Sequence, residues 1–342
     1  MNTLIGLIII AIGSLGQSSS YVPINKVKDW SWENFWLVQG VFAWLVITFL
    51  GALLATNFQS LIGGYSIESA ATLKTIFYGV LWGIGGLTFG LSMRYLGVAL
   101  GQSIALGTCS AFGTLIPAVL SGNDLLSGDG VILLISVCIT LAGIATIGYA
   151  GSLRSKDMTE EEKKKAVKDF ALKKGLLVAL LAGVMSACFS LGLNAGEPIQ
   201  QRVMELGASS FFAQNPVTFL VTIGGFLTNL IYCVWQNKKN GTSGQIFTTP
   251  SGLLVRNTLF CALAGILWYS QFFALGMGKS FFEPGGIMIA FSWSILMSLN
   301  VICSNIWGIV LKEWKGTGQK TIMVLVLGMA ILIFSLVLPN LL

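Results

Sequence analysis

Histidine is absent from this chain of 342 residues, and only 10% of the residues are charged. Soluble domains carry about 25% charged residues, so the composition excludes an ordinary soluble fold. The commonest metal ligand is missing, and the six cysteines fall singly within apolar segments, without the spacing of a metal site or a disulfide framework. We therefore predict no metal and no cofactor. No nucleophile-base pair stands out either, which argues against an enzyme.

Long apolar runs dominate what is present. A helix needs about 20 predominantly apolar residues to cross the hydrocarbon core of a bilayer, and backbone polar groups in lipid must be paired internally. The runs therefore predict an all-α membrane protein with ten transmembrane helices. Their approximate spans are 3–22, 36–55, 74–93, 98–120, 130–150, 174–194, 213–235, 253–275, 285–310 and 321–340.

Basic residues are distributed unequally between the two sides of this ten-helix path. Seventeen of the 20 Lys and Arg residues fall in the odd-numbered connections, and only Lys74, Arg202 and Lys279 fall on the opposite side. Because basic loops stay in the cytoplasm, the asymmetry predicts cytoplasmic odd-numbered loops and both termini outside. The net charge of +6 is accounted for in this way and needs no nucleic-acid partner. The first segment lacks a basic leader region, so we interpret it as a spanning helix.

Internal similarity divides the chain at its charged fifth loop. Residues from Gly6 (GLIIIAIGSLGQSSS) correspond to those from Gly175 (GLLVALLAGVMSACFS), and WGIGGLTFGLSMR from Trp82 corresponds to WYSQFFALGMGK from Trp268. We predict a first five-helix repeat over 1–152, a charged cytoplasmic linker over 153–173 and a second five-helix repeat over 174–342. An odd number of helices per half makes the repeats inverted, an arrangement typical of transporters with a substrate site near the membrane midplane.

Several short motifs run from the first loop to the ninth: KVKDWSWE (26–33), WGIG (82–85), MRYLG (93–97), LKKG (172–175), WYSQFF (268–273), SW (292–293) and VLKEW (310–314). Together they resemble the bacterial L-rhamnose-proton symporter family, within the drug/metabolite transporter superfamily. The resemblance implies a ten-helix inner-membrane carrier that takes up L-rhamnose, a 6-deoxyhexose, driven by protons.

The membrane interior offers groups that suit a neutral sugar. Uncharged amides and hydroxyls can both donate to and accept from sugar hydroxyls, and aromatic rings can stack on the apolar face of a sugar. Gln39, Trp44 and Tyr269 are among such midplane candidates. The predicted substrate-binding residues are Trp82, Gln102, Asn194, Trp268, Gln271, Ser292 and Trp293. For any one of them, the alternative is a structural bond between two helices.

No Asp or Glu lies in the middle of a predicted span, although intramembrane acids commonly mark proton relays. The nearest are Glu197, at the end of the sixth segment, and Glu283, before the helix that carries Ser292 and Trp293. Both are expected on the extracytoplasmic side, where an incoming proton would enter. They are the proton-coupling candidates, with Glu283 favoured. The alternative for Glu283 is that it and its following proline simply begin a helix.

The sequence therefore predicts a secondary active transporter that imports L-rhamnose with protons across the bacterial inner membrane. Its partners are a small sugar, protons and membrane lipids. One alternative is a carrier or exporter of another sugar or small metabolite in the same superfamily. An alternative of another class, a membrane-embedded sensor or structural subunit, is disfavoured because no extramembrane segment is longer than the fifth loop.

Overall fold

The computed structural model describes residues 2–96, 98–156, 171–312 and 314–340, and every regular element in these ranges is helical. A π-helix, Val41–Val46, joins α3 to α4, and a 3₁₀ turn, Leu338–Asn340, follows the final α-helix. The α-helices are α1 Asn2–Ser19, α2 Tyr21–Ile24, α3 Trp32–Gly40, α4 Ile47–Ala55, α5 Phe58–Ile67, α6 Ser69–Leu96, α7 Val98–Leu120, α8 Gly128–Lys156, α9 Leu172–Ala195, α10 Glu197–Glu205, α11 Asn215–Asn240, α12 Gln245–Thr248, α13 Ser251–Lys279, α14 Ile287–Val310 and α15 Gln319–Val337.

Ten helical stretches among the described residues are long and apolar enough to cross a membrane. They coincide with the ten predicted segments, which confirms the all-α, ten-helix prediction and makes this a multi-pass membrane protein. Most ends differ by a few residues: the second stretch begins at Trp32 and the eighth extends to Lys279. The sixth stretch differs more, because it continues through α10 to Glu205, well past its predicted end at 194. Most of the predicted charged linker, 157–170, lies outside the described residues.

The described chain forms two compact units, each built from segments of both sequence halves. The first unit comprises Met1–Gly83 and Gly192–Phe281, and the second comprises Ile84–Leu191 and Phe282–Leu342. Two of the boundaries between the units fall inside helices α6 and α9. The division into two inverted sequence repeats is a statement about internal similarity and stays a prediction.

Glycines bring helix backbones together in the first unit. A Cβ added at Gly13 of α1 would lie 2.3 Å from the Cβ of Ala274 in α13, and one added at Gly79 of α6 would lie 2.1 Å from the carbonyl oxygen of Val221 in α11. Neither position has room for a side chain. Apolar burial does not drive helix association in lipid. The close approach at these glycines provides van der Waals packing, which does drive it.

The second unit is held by apolar packing together with hydroxyl pairs. Leu325 and Leu332 of α15 pack with Ile144 of α8 in a buried cluster, and the Thr140 hydroxyl donates to the Ser335 hydroxyl at 3.1 Å. Between α7 and α14, the hydroxyl of Ser294 lies 2.9 Å from that of Ser110 and 2.8 Å from that of Thr114. Polar side chains inside this unit therefore serve helix contacts.

Candidate substrate-binding site

A π-helix interrupts the second membrane span near its middle. It covers Val41–Val46, between α3 and α4, and carries Trp44. The wider turn of a π-helix shifts the helix face and occurs frequently at functional sites. A Cβ added at Gly40 would lie 2.8 Å from the Trp44 ring, so only glycine allows the ring to lie in this position.

Three tryptophans from three helices meet in the first unit. The ring centroid of Trp44 lies 5.8 Å from that of Trp82 on α6 and 6.0 Å from that of Trp268 on α13, both at edge-to-face angles. The Trp82 and Trp268 centroids are 5.9 Å apart, with an interplanar angle of 34°. We call Trp44, Trp82 and Trp268 the tryptophan cluster. Trp44 is 4% exposed, whereas Trp82 and Trp268 are half-buried.

The spacing of the cluster limits how a sugar could use it. A sugar ring held between two aromatic rings requires them to be about 7 Å apart, because each layer of carbon contacts takes about 3.5–4.0 Å. Trp82 and Trp268 are closer than that, so a sugar cannot be sandwiched between them. Their half-buried outer faces can instead form a platform on which the apolar face of a sugar stacks.

Glycine again makes room for a large ring. A Cβ at Gly225 of α11 would lie 2.2 Å from the six-membered ring of Trp82. Beside it, the Asn229 side chain accepts a hydrogen bond from the Trp36 indole nitrogen at 2.9 Å and donates to the Gly225 carbonyl at 2.8 Å. The helix that supports Trp82 is thereby also tied to the second span.

Two further predicted residues of the first unit are polar. Gln271 follows Trp268 by one turn of α13, is 4% exposed, and donates from Nε2 to the Trp268 carbonyl at 3.0 Å. This bond places the amide next to the backbone that carries the Trp268 ring. Asn194 is half-buried near the end of α9. The structure thus brings Trp82, Trp268 and Gln271 into one neighbourhood, together with Trp44.

The remaining substrate candidates lie in the second unit, where Trp293 is packed as a core residue. Its indole nitrogen donates to the Cys109 carbonyl at 3.2 Å, and its ring stacks on Phe189 with centroids 5.9 Å apart. Only 4% of Trp293 is exposed, and the Ser292 hydroxyl donates to the Ile289 carbonyl of its own helix. Gln102 is half-buried on α7. The Trp293 contacts join helices, whereas the Ser292 bond lies within its own helix. The assignment of all three residues to substrate stays a prediction.

The two coupling candidates lie at exposed positions. Glu197 is the first residue of α10, and Glu283 lies in the connection between α13 and α14, four residues before the helix starts. Another acid is unsuited to carrying protons: Asp124, between α7 and α8, accepts from the Leu126 amide and the Ser127 hydroxyl. These bonds hold the pKa of Asp124 below its usual range, so this carboxylate stays ionised near neutral pH.

Lys279, at the end of the eighth span, was not predicted as a functional residue, because the sequence showed it only as a basic residue in a loop. Lys279 is the last residue of α13, and its ammonium donates to Gln214 Oε1 at 3.4 Å. The Gln214 amide in turn donates to the Phe272 carbonyl at 3.4 Å. The Glu197 carboxylate belongs to the same unit and lies near enough for its charge to act on the Lys279 ammonium.

Comparison with known proteins supplies the context for this geometry. The chain matches the family described as L-rhamnose-proton symport protein over residues 1–341. The L-rhamnose-proton symporters of Yersinia pestis (strain Pestoides F) and Yersinia pseudotuberculosis (serotype O:3, strain YPIII) are each 35% identical to it over 339 residues, which cover 97% of this chain and 96% of theirs. These relatives are named as transporters, not as enzymes. The chain therefore belongs to the L-rhamnose-proton symport protein family.

Proposed function

We propose that the protein imports L-rhamnose together with protons across the bacterial inner membrane. Membership of the symport family over nearly the whole chain supports this function. The single structural observation that carries it is the tryptophan cluster, which lies near the middle of the spans that bear its members. Transporter sites commonly lie at that depth.

L-rhamnose matches the chemistry of the cluster. It is uncharged and carries a methyl group where an ordinary hexose has a hydroxymethyl group, so one end of the ring is apolar. Trp82 and Trp268 offer an apolar platform, while Gln271 and Asn194 are proposed to bond sugar hydroxyls. In the second unit we keep Gln102, Ser292 and Trp293 as proposed substrate-binding residues.

Proton coupling is assigned to the exposed carboxylates. An outside proton that neutralises Glu197 would weaken its attraction for Lys279 and free that ammonium to move with its Gln214 contact. Such a change in a local charge interaction is a means of linking protonation to rearrangement. Glu283, in the second unit, remains the other candidate.

Uptake into proteoliposomes tests the function directly. With an acidic exterior, labelled L-rhamnose should accumulate inside, and a protonophore should abolish the accumulation. L-mannose, which differs from L-rhamnose by the 6-hydroxyl group, is the matched competitor and should compete roughly tenfold less well, because one hydroxyl against an apolar surface costs about 1–3 kcal/mol. Uptake of a different sugar in place of L-rhamnose, or net export under the same gradient, would replace this function by a related carrier or exporter.

The orientation of the chain is part of the proposal. The basic asymmetry predicts that Lys238 and Lys239, in the last turn of α11, lie on the cytoplasmic side and that both termini lie outside. A reporter active only in the cytoplasm should therefore be active when fused after Lys239 and inactive when fused at the C-terminus. Activity at both positions, or at the C-terminus alone, would reject the predicted orientation.

A further inference from the structure

Two buried polar atoms of the second span lack internal partners. The indole nitrogen of Trp44 and the side-chain carbonyl oxygen of Gln39 have no hydrogen-bond partner among the residues that the structure describes. Each of the two residues is only 4% exposed. A buried donor or acceptor left unpaired costs about 1–3 kcal/mol, and such groups are rare enough in native proteins to require an explanation.

Their position argues for a ligand rather than for a packing accident. Gln39 lies just before the π-helix and Trp44 lies within it, so both are near the centre of the second span. The Trp44 ring contacts both platform rings, Trp82 and Trp268. Trp36, two turns earlier, offers a comparison, because its indole nitrogen is bonded to Asn229. The same stretch of helix therefore pairs one indole internally and leaves the other open.

This inference rests on the proposed function. We propose that the indole N–H of Trp44 and the side-chain carbonyl of Gln39 form hydrogen bonds with hydroxyls of the transported sugar, and that these bonds determine which sugar the protein accepts. A sugar hydroxyl can accept from the indole and donate to the amide oxygen. Both groups are neutral, which suits an uncharged polyol, since a buried ion would require a counter-charge. Trp44 thus has two roles in the site: its ring supports the platform, and its nitrogen selects a hydroxyl.

The first test is Trp44→Phe, which keeps an aromatic ring and removes the donor. Purified protein should bind L-rhamnose roughly three- to tenfold more weakly, because one hydrogen bond contributes about 0.5–1.5 kcal/mol. A deoxy analogue that lacks the bonded hydroxyl should bind the variant and the wild type equally. The matched control is Trp30→Phe, which removes the indole bond to the Thr249 hydroxyl: it should lower the Tm and leave sugar affinity unchanged.

The second test is Gln39→Met, which replaces the amide with an apolar side chain of similar length. Without sugar, the Tm should rise or stay level, because an unpaired buried acceptor is removed. Sugar affinity should nevertheless fall roughly three- to tenfold. This opposite movement of stability and affinity is not expected of a purely structural residue, and Gln39→Met decides the matter if Trp44→Phe does not fold.

Wild-type affinity in both variants would overturn the proposal and assign the two atoms to internal water. The proposed function fails differently. If the wild type ignores L-rhamnose and binds another sugar of the panel, the same variants are assayed with that sugar, and the roles of Trp44 and Gln39 are judged there. A wild type that binds no neutral sugar overturns both proposals.

Discussion

Trp82→Ala is expected to reduce the affinity for L-rhamnose by at least tenfold while the protein remains folded and inserted. Trp82 is half-buried and forms one face of the proposed platform. Removing contact with about 60 Å² of apolar sugar surface, at about 25 cal/mol per Å², costs roughly 1.5 kcal/mol, which corresponds to about tenfold in Kd. Trp268→Ala should behave similarly. Titration calorimetry with purified protein measures both.

A matched control for this experiment is Trp235→Ala. Trp235 lies in the same unit on α11, is 54% exposed, and contacts Tyr232 and Lys239 rather than the cluster. Its removal should leave the affinity for L-rhamnose unchanged. If Trp82→Ala and Trp268→Ala bind as tightly as the wild type, the platform is not part of the sugar site. Trp293→Ala is less informative, since it would leave a cavity in the second unit.

Separation of sugar exchange from sugar accumulation is the second large effect expected. If Glu197 carries the proton, Glu197→Gln should exchange labelled for unlabelled L-rhamnose between equilibrated compartments, because exchange needs no net proton movement. Accumulation driven by a pH gradient should be lost. With one proton per sugar, a gradient of one pH unit supports about tenfold accumulation, since about 1.4 kcal/mol corresponds to a factor of ten. That ratio should fall to one. Glu283→Gln is tested in the same way.

The control carboxylate for this test lies on the same helix as Glu197. Glu205 ends α10, is exposed, and is paired with Arg202 at 2.7 Å. Glu205→Gln should retain both exchange and accumulation, because a surface ion pair of this kind contributes only about 0–1 kcal/mol. If the Glu197 and Glu283 variants both still concentrate sugar in response to the gradient, neither carboxylate carries the proton.

Much of the candidate site was open to prediction from the sequence, and part of it was not. Trp82, Trp268 and Gln271 were identified from their depth in a span and from the family resemblance, and the structure brings them together. Trp44 was recognised only as one midplane aromatic among several. Its distinguishing property is an unpaired indole nitrogen on a π-helix, and no pattern of letters reveals whether a donor finds a partner. Lys279 was missed for a related reason: its significance depends on Gln214 and Glu197, which are distant in sequence.

By itself, the sequence determined the fold class, the number of spans and the family of this protein. These properties depend on local quantities that can be read along the chain: the length of apolar runs, which must match the bilayer thickness, and short motifs within them. Only the tertiary structure decided which polar groups satisfy one another. Trp293 and Trp44 look alike in sequence, but the nitrogen of Trp293 is bonded to the Cys109 carbonyl and the nitrogen of Trp44 is left open within the described chain. That difference arises because hydrogen-bond pairing between helices depends on contacts across nearly 200 residues of chain, which packing creates and sequence order does not display.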